Sequence, residues 1–192
     1  MDASGPAAAR TRPIVPSPVL GMAMFIATEA MFFAGLVSAF VVLRAQSPDW
    51  PPIDQPRLPA GVTGVNTLFL LASAITMERA AAALRRGGKT AARWIAVTLG
   101  LGALFLVVQG SEWVRLVGYG LTTRSSLYGA TFYTIVGAHG LHVLAAVIAL
   151  GFALVRARAD AGADPGWIAP WRMYWLFVVA VWPVLYALVY LR

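Results

Sequence analysis

The stretch Val19–Arg44, VLGMAMFIATEAMFFAGLVSAFVVLR, decides the fold of this chain. It exceeds the roughly 20 apolar residues that cross the hydrocarbon core of a bilayer. Its single acid, Glu29, lies near the middle. Acidic side chains inside a membrane span are costly, and they usually face other helices and carry a function. The stretch therefore predicts a membrane-spanning helix in which Glu29 needs a partner or a task.

The composition excludes a soluble protein. Of the 192 residues, 59% are hydrophobic and 12% are charged, which is too little charge to cover the surface of a soluble domain. The net charge of +7 resides in short loops, where it orients a membrane protein rather than binding nucleic acid. The absence of cysteine excludes disulfides, thiolate metal sites and iron–sulfur clusters.

Apolar segments predict an all-α fold, a bundle of five transmembrane helices in a single domain that covers residues 19–192. A lead over residues 1–18 is rich in Ala and Pro and is expected to be disordered. It is not expected to be a cleaved signal, because the apolar run behind it is too long for a signal core. The predicted spans are about 19–43, 63–84, 93–116, 127–155 and 168–191.

Charges in the predicted loops indicate the orientation. Five spans place the two termini on opposite sides of the membrane. The side that holds the N-terminus carries ten Lys and Arg residues, and the other side carries five. Since positive residues concentrate in cytoplasmic loops, the pattern predicts a cytoplasmic N-terminus and an external C-terminus.

Wound as a helix, the first span has two unlike faces, and Glu29 lies on the bulky one. The bulky face holds Met22, Phe25, Ile26, Phe32, Phe33, Leu36 and Phe40. The opposite face holds Ala23, Ala27, Ala30, Ala34 and Ser38, which permit close approach of another helix. Three interpretations of Glu29 stay open: a proton-accepting site, a neutral carboxyl hydrogen-bonded to another helix, and a contact with a partner or lipid.

His139 and His142, in GAHGLHV, are the only histidines and share one helix face. This spacing suits two ligands of one metal ion, although such a site needs further ligands from Glu29, Glu112 or Asn66. It does not suit two axial ligands of one haem. The alternative is a pair of imidazoles that are hydrogen-bonded to neighbouring helices, and two histidines without further ligands favour it.

Three other polar residues are candidates for buried contacts. Gln109 and Glu112 belong to QGSEW at the end of the third span, where Arg115 lies one turn beyond Glu112 and can pair with it. Asn66 opens the second span and can bond across helices. The chain has no nucleophile with its base, phosphate loop or dinucleotide fingerprint, so the residues alone reveal no catalytic centre.

Four segments together resemble subunit III of the haem–copper terminal oxidases, over roughly Leu20 to Trp182. These segments are FIATEAMFFAGLVSAFVVLR, NTLFLLASAITM, QGSEW and SLYGATFYTIVGAHGLHV. By this resemblance Glu29 matches the mid-membrane glutamate of the family, and Glu112 matches the acid of its QxxEW-like segment. His139 and His142 match the two histidines of its HGxHV motif.

The resemblance implies a non-catalytic, multi-pass subunit of a cytochrome c oxidase in the inner membrane of a bacterium. The complex would reduce oxygen and translocate protons in the respiratory chain. The chain would pack against subunit I, which holds the haems and copper, with subunit II and a small subunit IV as further partners. It would support proton uptake and stability of subunit I, bind phospholipid, and hold no cofactor, metal or catalytic residue itself.

The chain departs from the family in two places. Larger relatives have seven helices, with lipid in a cleft between the first two and the other five, and this chain starts at the equivalent of the third. In the last span, Leu176 and Val179 stand where the family has a histidine and an aspartate. The role of that pair is therefore not carried over, and the groups that it bonds must find other partners.

Other functions remain as alternatives. Within the family these are a quinol oxidase subunit III and the accessory subunit of a nitric-oxide reductase. From a different class, a small proton-coupled transporter could use Glu29 as its relay. Against a transporter, the sequence shows no internal repeat and no pair of interrupted spans in matching halves.

Overall fold

Five long α-helices form the protein in the computed structural model, which describes residues 16–159 and 165–191. They are α1 (Ser17–Ala45), α2 (Ala60–Arg85), α3 (Ala91–Gly118), α4 (Leu127–Ala159) and α5 (Ala169–Val189). A 3-10 turn, Pro165–Ile168, precedes α5. Each helix is long and apolar enough to cross a membrane, and the described residues contain no strand. The prediction of an all-α protein with five membrane spans is confirmed.

The helix ends differ slightly from the predicted spans. Helix α1 begins at Ser17, inside the predicted lead, because Pro18 fits the first turn of a helix, where its missing N–H is not needed. The rest of that lead, residues 1–15, lies outside the described residues. Helix α5 begins at Ala169, because Ile168 still belongs to the 3-10 turn.

The turn RRGGK joins α2 and α3 into a hairpin. Gly87 and Gly88 have φ angles of 100° and 79°, a region that only glycine enters without strain. The N–H of Gly88 reaches back to the Ala83 carbonyl oxygen at 2.9 Å, and this bond caps the end of α2. The chain therefore reverses within a few residues, which brings the start of α3 beside the end of α2.

Two tryptophans of α5 form the centre of the bundle. Trp175 and Trp182 are fully buried, and each indole N–H donates to a hydroxyl of α2. Trp175 donates to Ser73 Oγ at 3.1 Å, and Trp182 donates to Thr67 Oγ1 at 2.8 Å. Gly102 has no Cβ, and a Cβ there would collide with the Trp175 ring, so glycine at this position allows α3 to approach the ring closely.

Helix α1 lies at the side of the bundle and packs with its bulky face. Phe33 and Phe40 are buried, and Glu29 is half-buried. The small residues of the opposite face are all exposed. The face that the sequence marks as suited to close helix approach is therefore not used within the described part of the chain.

Candidate functional site

Glu29 and His142 meet between α1 and α4. Glu29 Oε2 lies 2.7 Å from His142 Nε2, and His142 Nδ1 lies 2.7 Å from the Ala138 carbonyl oxygen. A carbonyl can only accept a hydrogen bond, so Nδ1 must carry a proton. The close contact between Nε2 and Oε2 then needs one more proton, shared by the carboxyl and the imidazole. Whichever partner holds that proton, the pair as a whole is uncharged, and a neutral pair explains why the membrane span tolerates Glu29.

Two aromatic rings pack against the imidazole of His142. The Phe33 ring meets the imidazole edge-on at 5.0 Å between ring centroids, and the Phe32 ring stacks on it at 6.0 Å. The side chains of Glu29 and His142 keep 19% and 18% of their surface exposed. The pair therefore lies at the edge of the bundle, where a proton donor or a partner chain can reach it from one side.

His139 lies one turn before His142 but inside the bundle. It is 1% exposed, and its ring stacks on Trp182 with ring centroids 4.8 Å apart. Phe33 and Phe105 meet it edge-on at 6.3 and 6.2 Å. Neither ring nitrogen has a hydrogen-bond partner among the described residues. The expectation that both imidazoles bond to neighbouring helices holds for His142 and is wrong for His139.

Leu176 and Val179 of α5, the two positions at which the sequence departs from the resemblance, supply no polar group to the bundle. Val179 is buried one turn before Trp182, and Leu176 follows Trp175. Both side chains are hydrocarbon and cannot accept or donate a hydrogen bond. Positions 176 and 179 of α5 therefore supply no hydrogen-bond partner for His139, whose ring nitrogens are unpaired among the described residues.

The predicted polar residues Gln109 and Asn66 connect helices. Gln109 Nε2 donates to the Tyr190 hydroxyl at 2.9 Å, and Asn66 Nδ2 donates to the Phe105 carbonyl oxygen at 3.0 Å. The amide oxygen of each has no partner in residues 16–159 and 165–191. Gln109 also lines, together with His139, a mostly apolar hollow of about 290 Å³ between α3 and α4.

Glu112 lies apart from Glu29, near the end of α3. Its Oε1 accepts from Arg115 Nη1 at 2.9 Å, which confirms the pair that the spacing predicts. The Arg115 side chain is 66% exposed while that of Glu112 is 7% exposed. This arrangement fits an acid held at the boundary of the bundle by a cation that reaches outward.

One ion pair between helices was not predicted from the sequence. Glu78 of α2 accepts from Arg172 Nε of α5 at 2.6 Å. The sequence contains a usable signal, because Glu78 and Arg172 have opposite charges at span ends that the topology places on the same side. The signal did not identify the pair, because several cations close to Glu78 in sequence are equally plausible partners.

The donor set does not fit a metal ion. Within the described ranges, no group of three or more His, Cys, Asp or Glu side chains comes together. The further ligands that an HxxH site needs are engaged elsewhere, Glu112 with Arg115 and Asn66 with a backbone carbonyl. Glu29 approaches His142, but the contact is a hydrogen bond of one acid and one imidazole.

Five apolar helices and one acid–imidazole pair between α1 and α4 define a multi-pass membrane protein with a neutral polar site inside its span. A family model described as "Cytochrome c oxidase subunit III" matches residues 7–192. The chain belongs to the cytochrome c oxidase subunit III family.

Curated relatives agree with this assignment. The "Cytochrome c oxidase subunit 3" of a Synechocystis species is 34% identical over 182 residues, which cover 90% of this chain and 75% of the relative. A "Probable cytochrome c oxidase subunit 3" of Nocardia farcinica is 36% identical over 177 residues, covering 89% and 86% of the two chains. That of Corynebacterium diphtheriae, "Cytochrome c oxidase subunit 3", is 34% identical over 191 residues, covering 95% and 91%.

These findings establish a multi-pass protein of the bacterial cell membrane that is part of an oxidase complex. They do not favour a quinol oxidase subunit, a nitric-oxide reductase subunit or a proton-coupled transporter.

Proposed function

We propose that this chain holds no catalytic centre of its own and supports proton uptake and stability of the oxidase subunit that carries the haems and copper. The observation that carries the proposal is the Glu29–His142 pair, with its 2.7 Å contact and its partial exposure. A pair that holds one shared proton is uncharged at rest; if it takes up a proton on one side and releases one on the other, its net charge returns to zero after the two transfers.

The exposed surface of α1 supports a role beside another membrane subunit. Its small side chains allow another helix to approach the backbone closely, and no helix of the described chain covers them. We assign subunit I as the main partner, with subunit II and a small subunit IV as further ones. Cytochrome c is the proposed electron donor of the complex.

Orientation and ligands complete the proposal. Ten Lys and Arg residues against five support a cytoplasmic N-terminus and an external C-terminus. This chain binds no redox cofactor or metal in the proposal, since its donor set does not fit one. Membrane phospholipid is its expected ligand.

The test replaces Glu29 by Gln in the intact complex. Gln keeps the size of the side chain and a hydrogen-bonding group but cannot release a proton. We expect the complex to assemble with its haem-bearing partner and to lose activity during sustained turnover. Assembly is read from the ratio of haem to this subunit, and turnover from the time course of oxygen consumption.

Glu112→Gln is the matched control, because Glu112 is also a glutamate of a membrane-spanning helix but pairs with Arg115 and not with a histidine. We expect it to follow the time course of the unmodified complex. If Glu29→Gln abolished assembly, the pair would be structural. If Glu29→Gln and Glu112→Gln behaved alike, the proton role of the Glu29–His142 pair would be wrong.

Purification of the complex tests the remaining assignments. This chain should co-purify with a haem-bearing partner, and metal analysis of the separated subunit should find no stoichiometric metal. One bound metal ion per chain would contradict the proposal and indicate a metal site at His139 and His142. Transport of a solute by the chain alone in liposomes would contradict the subunit role.

A further inference from the structure

The hairpin turn between α2 and α3 encloses a basic hollow that the proton role of Glu29 does not use. An inference about its ligand rests on the proposed function only in that a phospholipid is the expected ligand of this chain. The hollow measures about 240 Å³. Its lining consists of Arg79, Ala82, Ala83, Arg86, Lys89, Thr90 and Trp94. Three of these side chains are cations, and Thr90 adds a hydroxyl. The hollow thus combines several positive groups with space between two helix ends.

The positive charge of this hollow is not neutralised by acids. The acid nearest in sequence, Glu78, is engaged with Arg172 at 2.6 Å. None of Arg79, Arg86 and Lys89 forms an ion pair within the described part of the chain. Three like charges that line one concave surface attract an anion, because binding it removes their mutual repulsion.

The beginning of α3 adds a further positive contribution. The helix starts at Ala91 with neither a side-chain cap nor an acidic residue in its first turn. The Ala91 N–H is bonded to the Gly88 carbonyl oxygen at 3.0 Å, so the helix dipole and the remaining N–H groups of the first turn favour an anion. Since Lys89 and Thr90 directly precede Ala91 and line the hollow, the helix end and the cations lie at the same place.

Trp94 fixes the position of one cation and marks the depth in the membrane. The Arg79 guanidinium lies 4.9 Å from the centre of the Trp94 ring, in a cation–π contact. Tryptophan is typical of the boundary between the hydrocarbon core and the head groups. The hollow lies at the ends of two helices that are long and apolar enough to span a membrane. The ends of such helices meet the head-group region of the lipids.

We propose that this hollow binds the phosphodiester group of an anionic phospholipid. Arg79, Arg86 and Lys89 would surround the phosphate, with the start of α3 behind it. Basic pockets between transmembrane helices are suited to such head groups.

A different explanation assigns these cations only to membrane orientation, which depends on the number of charges near the span and not on their positions in the hollow. Arg85 and Arg93 allow the two explanations to be separated. Both are exposed cations beside the same turn, Arg85 as the last residue of α2 and Arg93 in the first turn of α3, and neither lines the hollow. The paired substitutions Arg86→Gln with Lys89→Gln and Arg85→Gln with Arg93→Gln remove the same charge from the same end of the α2–α3 hairpin.

The experiment uses the intact oxidase complex in nanodiscs of phosphatidylcholine that contain a minor fraction of phosphatidylglycerol. Native mass spectrometry counts the phosphatidylglycerol molecules retained by this subunit after extraction. We expect Arg86→Gln with Lys89→Gln to reduce the retention of one phosphatidylglycerol by roughly tenfold or more, from the loss of two charges near the phosphate. Arg85→Gln with Arg93→Gln should retain it.

Equal loss in both double variants would overturn the proposal in favour of diffuse attraction, and retention in both would overturn it outright.

A photoactivatable phosphatidylglycerol with its reactive group in the head region gives a second measurement on the unmodified complex. Labelling should concentrate on Ala82, Ala83 and Thr90, and labelling elsewhere alone would refute the site even if a variant failed to assemble. Inorganic phosphate should not displace the lipid; displacement would reassign the site to free phosphate. All readouts are lipid counts or labels, so they stand apart from the turnover test of Glu29.

Discussion

His139 and His142 lie one turn apart on α4 and have opposite surroundings. His142 is partly exposed and uses both nitrogens, one toward Glu29 and one toward the Ala138 carbonyl. His139 is almost fully buried, stacks on Trp182, and has no partner for either nitrogen within the described residues. The same residue type on the same helix thus contributes a hydrogen bond at one position and a packed ring at the other.

The difference shows that spacing along a helix does not determine the chemistry of a side chain. An i, i+3 pair shares a face, but the helices opposite that face differ from turn to turn. Opposite His142 lies the acid of α1, and opposite His139 lie aromatic rings of α1, α3 and α5. Variants of the two histidines should therefore fail in different ways.

The largest effect is expected for His139→Ala. Removal of a buried ring between Phe33, Phe105 and Trp182 leaves a cavity, and we expect the free energy of unfolding to fall by about 2–4 kcal/mol. The measurement is denaturant or thermal unfolding of the subunit in detergent. His139→Phe retains a ring for Trp182 to stack on and should cost clearly less. Equal losses for Phe and Ala would indicate that the imidazole nitrogens have partners.

A smaller effect is expected from the bond between Glu29 and His142. In a double-mutant cycle with Glu29→Gln and His142→Phe, we expect a coupling free energy of about 1 kcal/mol, the usual size for polar pairs between membrane helices. The parallel cycle of Glu29→Gln with His139→Phe should give a coupling near zero. A comparable coupling in both cycles would mean that the two histidines respond as one unit.

The hydrogen bond between Gln109 and Tyr190 is an example of a buried bond between two uncharged side chains. Gln109→Leu removes the donor to the Tyr190 hydroxyl and should lower the free energy of unfolding by about 0.5–1.5 kcal/mol, the net contribution of one hydrogen bond. Unfolding of Tyr190→Phe in the same detergent gives the matched comparison. If Gln109→Leu were neutral while Tyr190→Phe was costly, the hydroxyl would have a more important partner than Gln109.

The smallest effect is expected for the pair of Glu112 and Arg115. Because the Arg115 side chain is 66% exposed, solvent screens the attraction, and the coupling in a cycle of Glu112→Gln with Arg115→Gln should be at most about 0.5 kcal/mol. The coupling should decrease further when salt is added. A coupling free energy larger than that between Glu29 and His142 would show that the exposed pair is the stronger one, contrary to this prediction.

Sequence reasoning recovered the five spans because each apolar run is long, and length alone separates a span from a loop. It also identified Glu29, His139, His142, Gln109, Glu112 and Asn66 as polar groups within apolar helices. The contact between Glu112 and Arg115 followed from helix spacing, since both residues lie on one helix. Local pairs of this kind are within reach of a sequence pattern.

The pairing of Glu29 with His142 and of Glu78 with Arg172 was out of reach, because each pair joins two different helices. The helical projection of α1 separates a bulky face from a small one, but it cannot determine which face meets the bundle. In the structure the bulky face packs, since Phe33 and Phe40 fill space between helices, and the small face remains exposed.

By itself the sequence determined that this protein crosses the membrane five times and places one acid inside the first span. It also determined the membership in the oxidase family through motifs in four of the spans. Only the tertiary structure decided that Glu29 shares a proton with His142 while His139 packs against Trp182. The reason is that hydrophobicity and helix period act along one segment, whereas a hydrogen bond between helices depends on how two segments are rotated and aligned against each other.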